Sequence, residues 1–332
     1  MRYIMEYKDR IYGKNEIGEP IILELMKSKS MQRLKGIDQH GHFEPYFPDT
    51  KCDRFEHSVG VLILLKRFGA SLEEQVAGLI HDVSHTVFSH VGDYVYGSEV
   101  SHDFQDSYHQ EFIENSKIPE ILNRYGIDYK FILDETNFPL KESPLPNLCA
   151  DRIDYFLRDA VLTGKVSLEK INNFLDNLVI IDNLWVFKDK NLAREYSLLY
   201  LKMNNWFWSG LESAVMLKTM GELLKYAINK QVISKDDLFT TDSNVWTKIR
   251  AGTAQDNHLA RLIERADNKF KYKVSDKNNY DLYAQVKSRA VDPLILVNNH
   301  LKKLSELDPE FINLKNKYLQ PKEYYIKFLE AR

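Results

Sequence analysis

The sequence predicts a mainly α-helical protein with small β-hairpins and an α+β appendage at its C-terminal end. Apolar residues recur at helical spacing through most of residues 21–230, whereas runs typical of strands are short and scattered. A chain of 332 residues is long enough for one large domain or two modest ones. We expect a helical core with an N-terminal arm over residues 1–230 and an accessory α+β region over residues 231–332.

The N-terminal elements follow from loose alternation and then from helical periodicity. Residues 3–20 alternate around two glycines and predict a hairpin. Residues 21–39 have apolar positions at helical spacing, and residues 41–53, which contain two prolines, predict a loop. Residues 55–67 predict a further helix, which should be mostly buried.

A capping pattern marks the start of the next helix. Ser71 and Glu74 are spaced as a capping box, and an apolar run follows them. This pattern predicts a helix that begins after Ser71 and brings His81 and Asp82 close to its end.

The middle of the chain predicts helices separated by an irregular stretch. Residues 111–125 read as a helix, and residues 131–147 contain three prolines that favour irregular structure. We expect a helix over residues 148–162, capped by Asn147 and ended by Gly164.

The remaining elements mix helices with short strands. Residues 178–188 predict a hairpin around a central Asp-Asn pair, and residues 196–229 predict one or two helices. Residues 270–272 and 282–296 resemble strands.

Composition argues for a cytoplasmic protein without a membrane span. The net charge of -3 gives no electrostatic reason to expect nucleic-acid or membrane binding. Two cysteines outside any CxxC pair fit a reducing compartment. The N-terminal residues lack the apolar core of a signal peptide, and no apolar run approaches the roughly 20 residues of a membrane helix.

Histidine is concentrated in one part of the chain. Eight of the ten histidines lie between His40 and His109, and LIHDVSHTVFSH at residues 79–90 holds three of them beside Asp82. Histidine is the commonest metal ligand and the usual proton shuttle near neutral pH, so chemistry is expected here.

Metal binding is one explanation for the adjacent His81 and Asp82. Neighbouring residues on a helix point about 100° apart, so both reach one ion only near the helix end. Further ligands must then come from other helices, and His57 and Asp151 are candidates. A divalent ion accepts such a mixed nitrogen and oxygen ligand set.

The segment that contains Asp151 carries an unusual helical face. Asp151, Asp154, Tyr155, Arg158 and Asp159 share that face. Burial of three carboxylates is costly unless a metal and an arginine neutralise them. A solvated face with an Asp154–Arg158 salt bridge is the alternative.

Five segments together resemble a known enzyme family. They are MQRLKGIDQHG, DRFEHSVGV, GLIHDVSHTVFSHVGD, SYHQE and ADRIDYFLRDA. Their order of H, HD and D resembles the HD superfamily of metal-dependent phosphohydrolases, in the branch of SAM-and-HD-domain and dGTPase-like dNTP triphosphohydrolases. The resemblance runs from about Asp9 to Gly164 and implies an HD-domain helical core.

The resemblance implies one divalent metal ion, iron or manganese, with magnesium, nickel and zinc as alternatives. Its matching ligands are His57, His81, Asp82 and Asp151. Arg54 matches a phosphate contact, although an arginine there can equally form a loop salt bridge.

Three further histidines and an aspartate match residues of the reaction path. His85 and His90 match histidines along the triphosphate path. His109 matches a general acid or nucleophile, and Asp93 matches the carboxylate partner that would raise its pKa. Without the resemblance, His109 would be read as an ordinary surface histidine.

The resemblance also implies a substrate-binding set. Matching residues are Gln39, Arg152, Tyr155 and Asp159. The chain departs from the family at His40, which replaces an apolar residue against the sugar, and near Lys202, which we expect to replace an arginine facing the nucleotide. These departures leave the substrate open.

The function expected is therefore a metal-dependent phosphohydrolase acting on nucleotides. The first hypothesis is a (deoxy)nucleoside triphosphate triphosphohydrolase that releases nucleoside and tripolyphosphate. The alternatives are an HD phosphomonoesterase or phosphodiesterase on another nucleotide, and a non-catalytic nucleotide-binding regulator. The resemblance also implies a homo-oligomer.

Overall fold

Helices dominate the protein, for which a computed structural model describes residues 4–97 and 104–331. The helices are α1 (Pro20–Lys27), α2 (Lys29–Arg33), α3 (Arg54–Arg67), α4 (Leu72–Ile80), α5 (Val91–Tyr96), α6 (Phe104–Glu114), α7 (Ile118–Arg124), α8 (Tyr129–Leu133), α9 (Ala150–Leu162), α10 (Leu168–Asn177), α11 (Lys190–Met203), α12 (Leu211–Asn229), α13 (Asp242–Ala251), α14 (Asn257–Ala266), α15 (Leu304–Leu307) and α16 (Pro309–Tyr318). The predicted mainly α fold with small sheets is confirmed. None of the helices in the described ranges is long and apolar enough to cross a membrane.

The strands form three small sheets. They are β1 (Met5–Asp9), β2 (Gly13–Ile17), β3 (Leu178–Ile181), β4 (Leu184–Phe187), β5 (Phe270–Val274), β6 (Leu282–Val286), β7 (Leu294–Val297), β8 (His300–Lys303) and β9 (Lys322–Ala331). Their orders are β1-β2, β3-β4-β7-β8 and β5-β9-β6. The predicted hairpins β1–β2 and β3–β4 are both present, and Asp182 and Asn183 adopt positive φ angles of 51° and 58° in the second.

The sheet that contains β3 and β4 joins distant parts of the chain. β4 pairs in parallel with β7, with Val186 opposite Leu294. Buried apolar residues from both sides of residue 230 also form one hydrophobic cluster. The domain boundary near residue 230 stays a prediction.

The helical pattern of residues 21–39 is divided into separate segments. Ser28 leaves the helical region with a ψ of 151°, and its side chain accepts a hydrogen bond from Met31 N. The chain therefore forms α1, then α2, then a 3-10 turn at Leu34–Gly36.

The single helix predicted over residues 111–125 is also divided. Ser116 Oγ donates to Ile113 O and accepts from Ile118 N, so its side chain ends one helix and begins the next. The result is α6 followed by α7.

The start of α9 differs from its prediction as well. Cys149, and not Asn147, is the N-cap residue, and the backbone oxygen of Asn147 accepts from Arg152 Nη1 at 2.7 Å. The loop before α9 is instead fixed by Ala150 N, which donates to Leu140 O at 2.8 Å. Gly164, with a φ of 66°, follows the end of α9 as expected.

Helices α3 and α4 begin where the sequence indicates. Ser71 Oγ accepts from Glu74 N at 3.1 Å, so α4 is capped as predicted and ends at Ile80. The Glu74 carboxylate accepts from the backbone of Leu140 and Lys141, which anchors the loop leading to α9. His81 follows as the C-cap residue of α4.

Close packing of α3 against α9 depends on Gly60. A Cβ atom at this position would lie 2.0 Å from Asp154 Oδ1 and 2.2 Å from Arg158 Nη2. Both side chains are buried and hydrogen-bonded to each other. Only glycine leaves room for this charged pair beside α3.

We expect Gly60→Ala to lower the free energy of unfolding by about 1–3 kcal/mol, because the added methyl must displace the buried ion pair. Chemical denaturation measures this change. Gly18→Ala is the matched control, since its added Cβ would meet only Ile4 at 3.5 Å. Equal loss in both variants would contradict the packing argument.

Candidate metal centre and substrate cavity

Twelve of the predicted site residues surround one cavity of about 440 Å³. They are Gln39, His40, Arg54, His57, His81, Asp82, His85, His90, Asp151, Arg152, Tyr155 and Asp159. The cavity lies where the start of α3, the end of α4 and the buried face of α9 meet.

The four predicted metal ligands lie close together at one end of the cavity. His57 Nε2 lies 2.9 Å from Asp151 Oδ1, and His81 Nε2 lies 3.6 Å from the same oxygen. Asp82 Oδ1 lies 3.4 Å from His81 Nε2. The donor atoms of His57, His81 and Asp151 all fall within 4.8 Å of one another.

The other nitrogen of each imidazole is held by a hydrogen bond. His57 Nδ1 donates to Asp154 Oδ2 at 2.7 Å, and His81 Nδ1 donates to Gly78 O at 2.7 Å. Such outer contacts fix the ring and direct Nε2 at a metal. Two Nε2 atoms and two carboxylates that converge in this way fit a divalent cation.

Buried charge compensation explains the polar face of α9. Arg158 is 1% exposed and donates to Asp154 and Asp9. The Asp154–Arg158 salt bridge of the alternative interpretation is present, but it is buried and not solvated. The face therefore points inward, as the metal interpretation requires.

The cluster is electrostatically coupled. Burial disfavours a charged His57, yet hydrogen bonds with Asp151 and Asp154 raise its pKa to about 10. Burial would raise the pKa of Asp151, but the hydrogen bonds from His57 and His81 hold this pKa well below its usual value. Asp151 is therefore a carboxylate near neutral pH, the form that binds cations.

Arg54 and His85 line the cavity beside Asp82. Arg54 is 2% exposed, donates to Asp82 and donates from Nε to Ser89 Oγ at 2.7 Å. His85 Nε2 lies 3.5 Å from Asp82 Oδ1, and burial together with Arg54 lowers the pKa of His85 well below its usual value. His85 is thus neutral. The His90 side chain, at 41% exposed, packs edge-on against the His85 ring.

A hydrogen-bonded chain forms the opposite end of the cavity. His40 Nε2 lies 2.7 Å from Asp159 Oδ1, and Trp208 Nε1 donates to Asp159 Oδ2 at 2.6 Å. The His40 ring also stacks on Phe43. These contacts place an imidazole, an indole and a carboxylate on one wall, where they can read the hydrogen-bonding groups of a ligand.

Arg152 and Tyr155 lie between the two ends. Arg152 donates to the backbone oxygens of Ser143 and Asn147 and contacts Glu142 at 3.3 Å. The hydroxyl of Tyr155 hydrogen-bonds with the hydroxyl of Tyr200.

Three predicted site residues do not border this cavity. Lys202 lines a separate surface pocket with Lys165, Lys170 and Glu195, so it lies away from the cavity that holds the other candidate residues. His109 Nδ1 lies 2.9 Å from Ser84 Oγ. Asp93 Oδ2 lies 3.4 Å from His90 Nδ1.

The pKa of His109 departs in the opposite direction from the one expected. Burial, together with Lys141 and His81, lowers it to about 4. His109 is therefore a neutral imidazole near pH 7 in this structure. Its catalytic role, and that of Asp93, stay predictions.

Several residues of the cavity were missed by the sequence interpretation. They are Phe43, Glu135, Lys141, Glu142, Leu217 and Arg289. Glu135, Lys141 and Glu142 lie in the stretch expected to be irregular, which carries no periodic signal. The local sequence around Arg289 gives no sign of proximity to α9.

The comparisons with known proteins agree with this geometry. The HD domain family model matches residues 54–159. The chain is 33% identical over 293 residues, 86% of this chain and 83% of the relative, to the metal-dependent phosphohydrolase cns2 of Cordyceps militaris. This protein belongs to the HD-domain metal-dependent phosphohydrolases.

Of two further relatives, one is named as uncharacterized and the other is named as an enzyme. The chain is 35% identical over 331 residues, 98% of this chain and all of the relative, to the uncharacterized protein YdhJ of Bacillus subtilis. It is 28% identical over 163 residues, 41% of this chain and 26% of the relative, to the deoxynucleoside triphosphate triphosphohydrolase SAMHD1 of Gallus gallus. Membership of this HD family implies a divalent metal ion.

A partly buried carboxylate links two loops of this HD protein. Asp242 accepts from Asp38 N at 2.8 Å and from Phe88 N at 2.7 Å. These loops carry His40 on one side and His85 with His90 on the other. Burial raises the pKa of Asp242 to about 7.

Raising the pH from about 5 to about 8 should lower the free energy of unfolding more for the wild type than for Asp242→Asn. The pKa of Asp242 is 3.8 for an unperturbed aspartate, as in the unfolded chain, and about 7 in the folded protein. The folded protein therefore keeps this proton to a higher pH than the unfolded chain does. Stability is then lost as the pH rises through this window, by up to about 1.4 kcal/mol per pH unit. Denaturation curves at several pH values measure it, and parallel pH profiles would contradict it.

Proposed function

We propose that this HD phosphohydrolase hydrolyses nucleotides, and that its substrates are (deoxy)nucleoside triphosphates cleaved to nucleoside and inorganic tripolyphosphate. The proposal is supported by partial similarity to a deoxynucleoside triphosphate triphosphohydrolase. It is also supported by the matching set of Arg54, His85, His90 and His109 around or beside the candidate metal centre.

The observation that carries the proposal is the composition of the cavity. A metal-binding end and a wall of aromatic and hydrogen-bonding groups share one volume of about 440 Å³. Small-molecule sites typically occupy about 300–1,000 Å³. A nucleotide has a phosphate for the first end and a sugar and base for the second.

His57, His81, Asp82 and Asp151 would hold the cation. A divalent ion there supplies Lewis-acid polarisation of a phosphoryl oxygen and lowers the pKa of water. We propose iron or manganese, with magnesium, nickel and zinc as alternatives.

The protein's own residues have separable roles in this proposal. Arg54 orients Asp82 through their hydrogen bond. Neutral His85 can hydrogen-bond a phosphoryl oxygen, and the more exposed His90 can do so nearer the solvent. A neutral His109 favours the nucleophile over the general acid among its two implied roles, because an acid needs a bound proton.

We propose that His40, Asp159 and Gln39 bind the sugar of the substrate at the wall opposite the metal end. His40 and Asp159 share a hydrogen bond, so either can offer a donor or acceptor to a hydroxyl group. Trp208, which donates to Asp159, adds a flat apolar surface for a sugar or base.

A phosphomonoesterase is the second candidate, and the charge around the cavity favours it. Lys141 and Arg152 already contact Glu135 and Glu142, and Lys202 lies elsewhere. A single phosphate needs fewer free cations than a triphosphate does. Homo-oligomer formation and a cytoplasmic location stay predictions.

His81→Ala with Asp82→Ala should reduce bound transition metal by more than about tenfold and abolish hydrolysis, because two ligands are lost. Elemental analysis and a hydrolysis assay with Mn²⁺ measure the two effects. His300→Ala, an exposed histidine far along the chain, is the control. Full metal content in the double variant would overturn the assigned centre. Retained nucleotide binding by the metal-depleted double variant would favour a non-catalytic regulator.

The released product separates the two enzymatic candidates. Incubation of the wild type with Mn²⁺ and a panel of nucleoside mono-, di- and triphosphates should release nucleoside and tripolyphosphate from the triphosphates. Chromatography and phosphate analysis identify both products. Orthophosphate released from monophosphates alone would select the phosphomonoesterase, and monophosphate or diphosphate from triphosphates would reject the proposed reaction.

A further inference from the structure

Arg289 differs from the other cations that border the cavity. It lies on the cavity wall, and no hydrogen bond or ion pair of its guanidinium is present within residues 4–97 and 104–331. Arg54 donates to Asp82, Lys141 lies 2.7 Å from Glu135, and Arg152 lies 3.3 Å from Glu142. Arg289 is therefore the cavity cation in the described chain that lacks a carboxylate partner.

The backbone around Arg289 is fixed from two directions. Arg289 N donates to Asn204 Oδ1 at 2.8 Å, and Asn204 is fully buried in the π-helical turn after α11. Three residues later, Asp292 N donates to Pro146 O at 2.8 Å. The segment is thus attached both to the turn that carries Trp208 and to the loop that leads into α9.

The groups near Arg289 do not neutralise its positive charge. It lies within electrostatic range of the Tyr155 and Tyr200 hydroxyls, which form a hydrogen-bonded pair. Phenol groups stay neutral near pH 7 and do not cancel a guanidinium charge. Tyr155 is one helical turn from Asp151, so this positive charge lies between the metal end and the opposite wall of the cavity.

We infer that Arg289 binds a phosphoryl group of the substrate, so that the C-terminal part of the chain supplies a specificity-determining residue to the HD site. The inference rests on the proposed function. A planar guanidinium without a competing carboxylate can form bidentate hydrogen bonds to phosphate oxygens. The partly buried position strengthens each bond relative to a surface contact.

Arg289→Gln in the full-length protein with Mn²⁺ tests this role. The KM for a nucleoside triphosphate hydrolysed by the wild type should rise by about tenfold or more, because a charge-assisted contact is lost. The kcat should change by less than about threefold, and bound metal should not change. Arg289→Lys should recover part of the affinity, since it restores charge without the planar fork.

The matched control is Arg250→Gln, which removes a mostly exposed guanidinium that contacts Asp267. Its KM should equal that of the wild type. A fall in kcat with unchanged KM in Arg289→Gln would overturn the inference, as would an equal change in the control.

A second measurement separates this inference from the proposed function. Binding of inorganic tripolyphosphate to the Mn²⁺-loaded protein is followed by calorimetry, without any need for turnover. Weaker binding to Arg289→Gln than to the wild type supports the inference even if no nucleotide is hydrolysed. Equal affinities, or no binding to the wild type, overturn it even if hydrolysis is observed.

Discussion

Burial of carboxylates on converging helices is the constraint on which this structure depends. Asp82, Asp154 and Asp159 are each at most 4% exposed, and such charges are costly without compensation. The protein compensates them in different ways. Arg54 contacts Asp82, Arg158 contacts Asp154, and His40 with Trp208 contacts Asp159. The cation-binding end of the cavity is part of the same charge balance that holds the core together.

The contacts that compensate these buried charges also orient the side chains around them. Asp154 is shared between Arg158 and His57, so the residue that neutralises a core arginine also orients the imidazole of a candidate metal ligand. Gly60 is the steric condition for this arrangement, because any side chain there would occupy the position of the ion pair. Stability and the direction of His57 Nε2 therefore have a common cause.

Local patterns in the sequence predict the parts of the fold that local chemistry determines. Ser71 caps α4, and an Asp-Asn pair turns the β3–β4 hairpin, because each depends on a few adjacent residues. The break at Ser28 was not predicted, and the cap of α9 was assigned to Asn147 instead of Cys149. Serine and asparagine side chains can hydrogen-bond to nearby backbone groups in several ways, and the sequence does not show which way is used. For the site, histidine spacing and the family resemblance point to four candidate ligands, which the structure places close together. Lys202 lies near the end of α11 and lines a separate surface pocket, a position that the local sequence does not indicate.

The two ends of the cavity come from different parts of the chain. All four candidate metal ligands come from residues 57–151, and their positions follow from α3, α4 and α9. The opposite wall depends on contacts made across long sequence separations: Trp208 reaches Asp159, and Asn204 holds the backbone of Arg289. Asn204 and Trp208 lie in one π-helical turn, so this turn positions both Trp208 and the backbone of Arg289 at the cavity wall. If Trp208 and Arg289 contact the substrate as proposed, they would contribute to specificity from outside residues 54–159, the range that the HD family model matches.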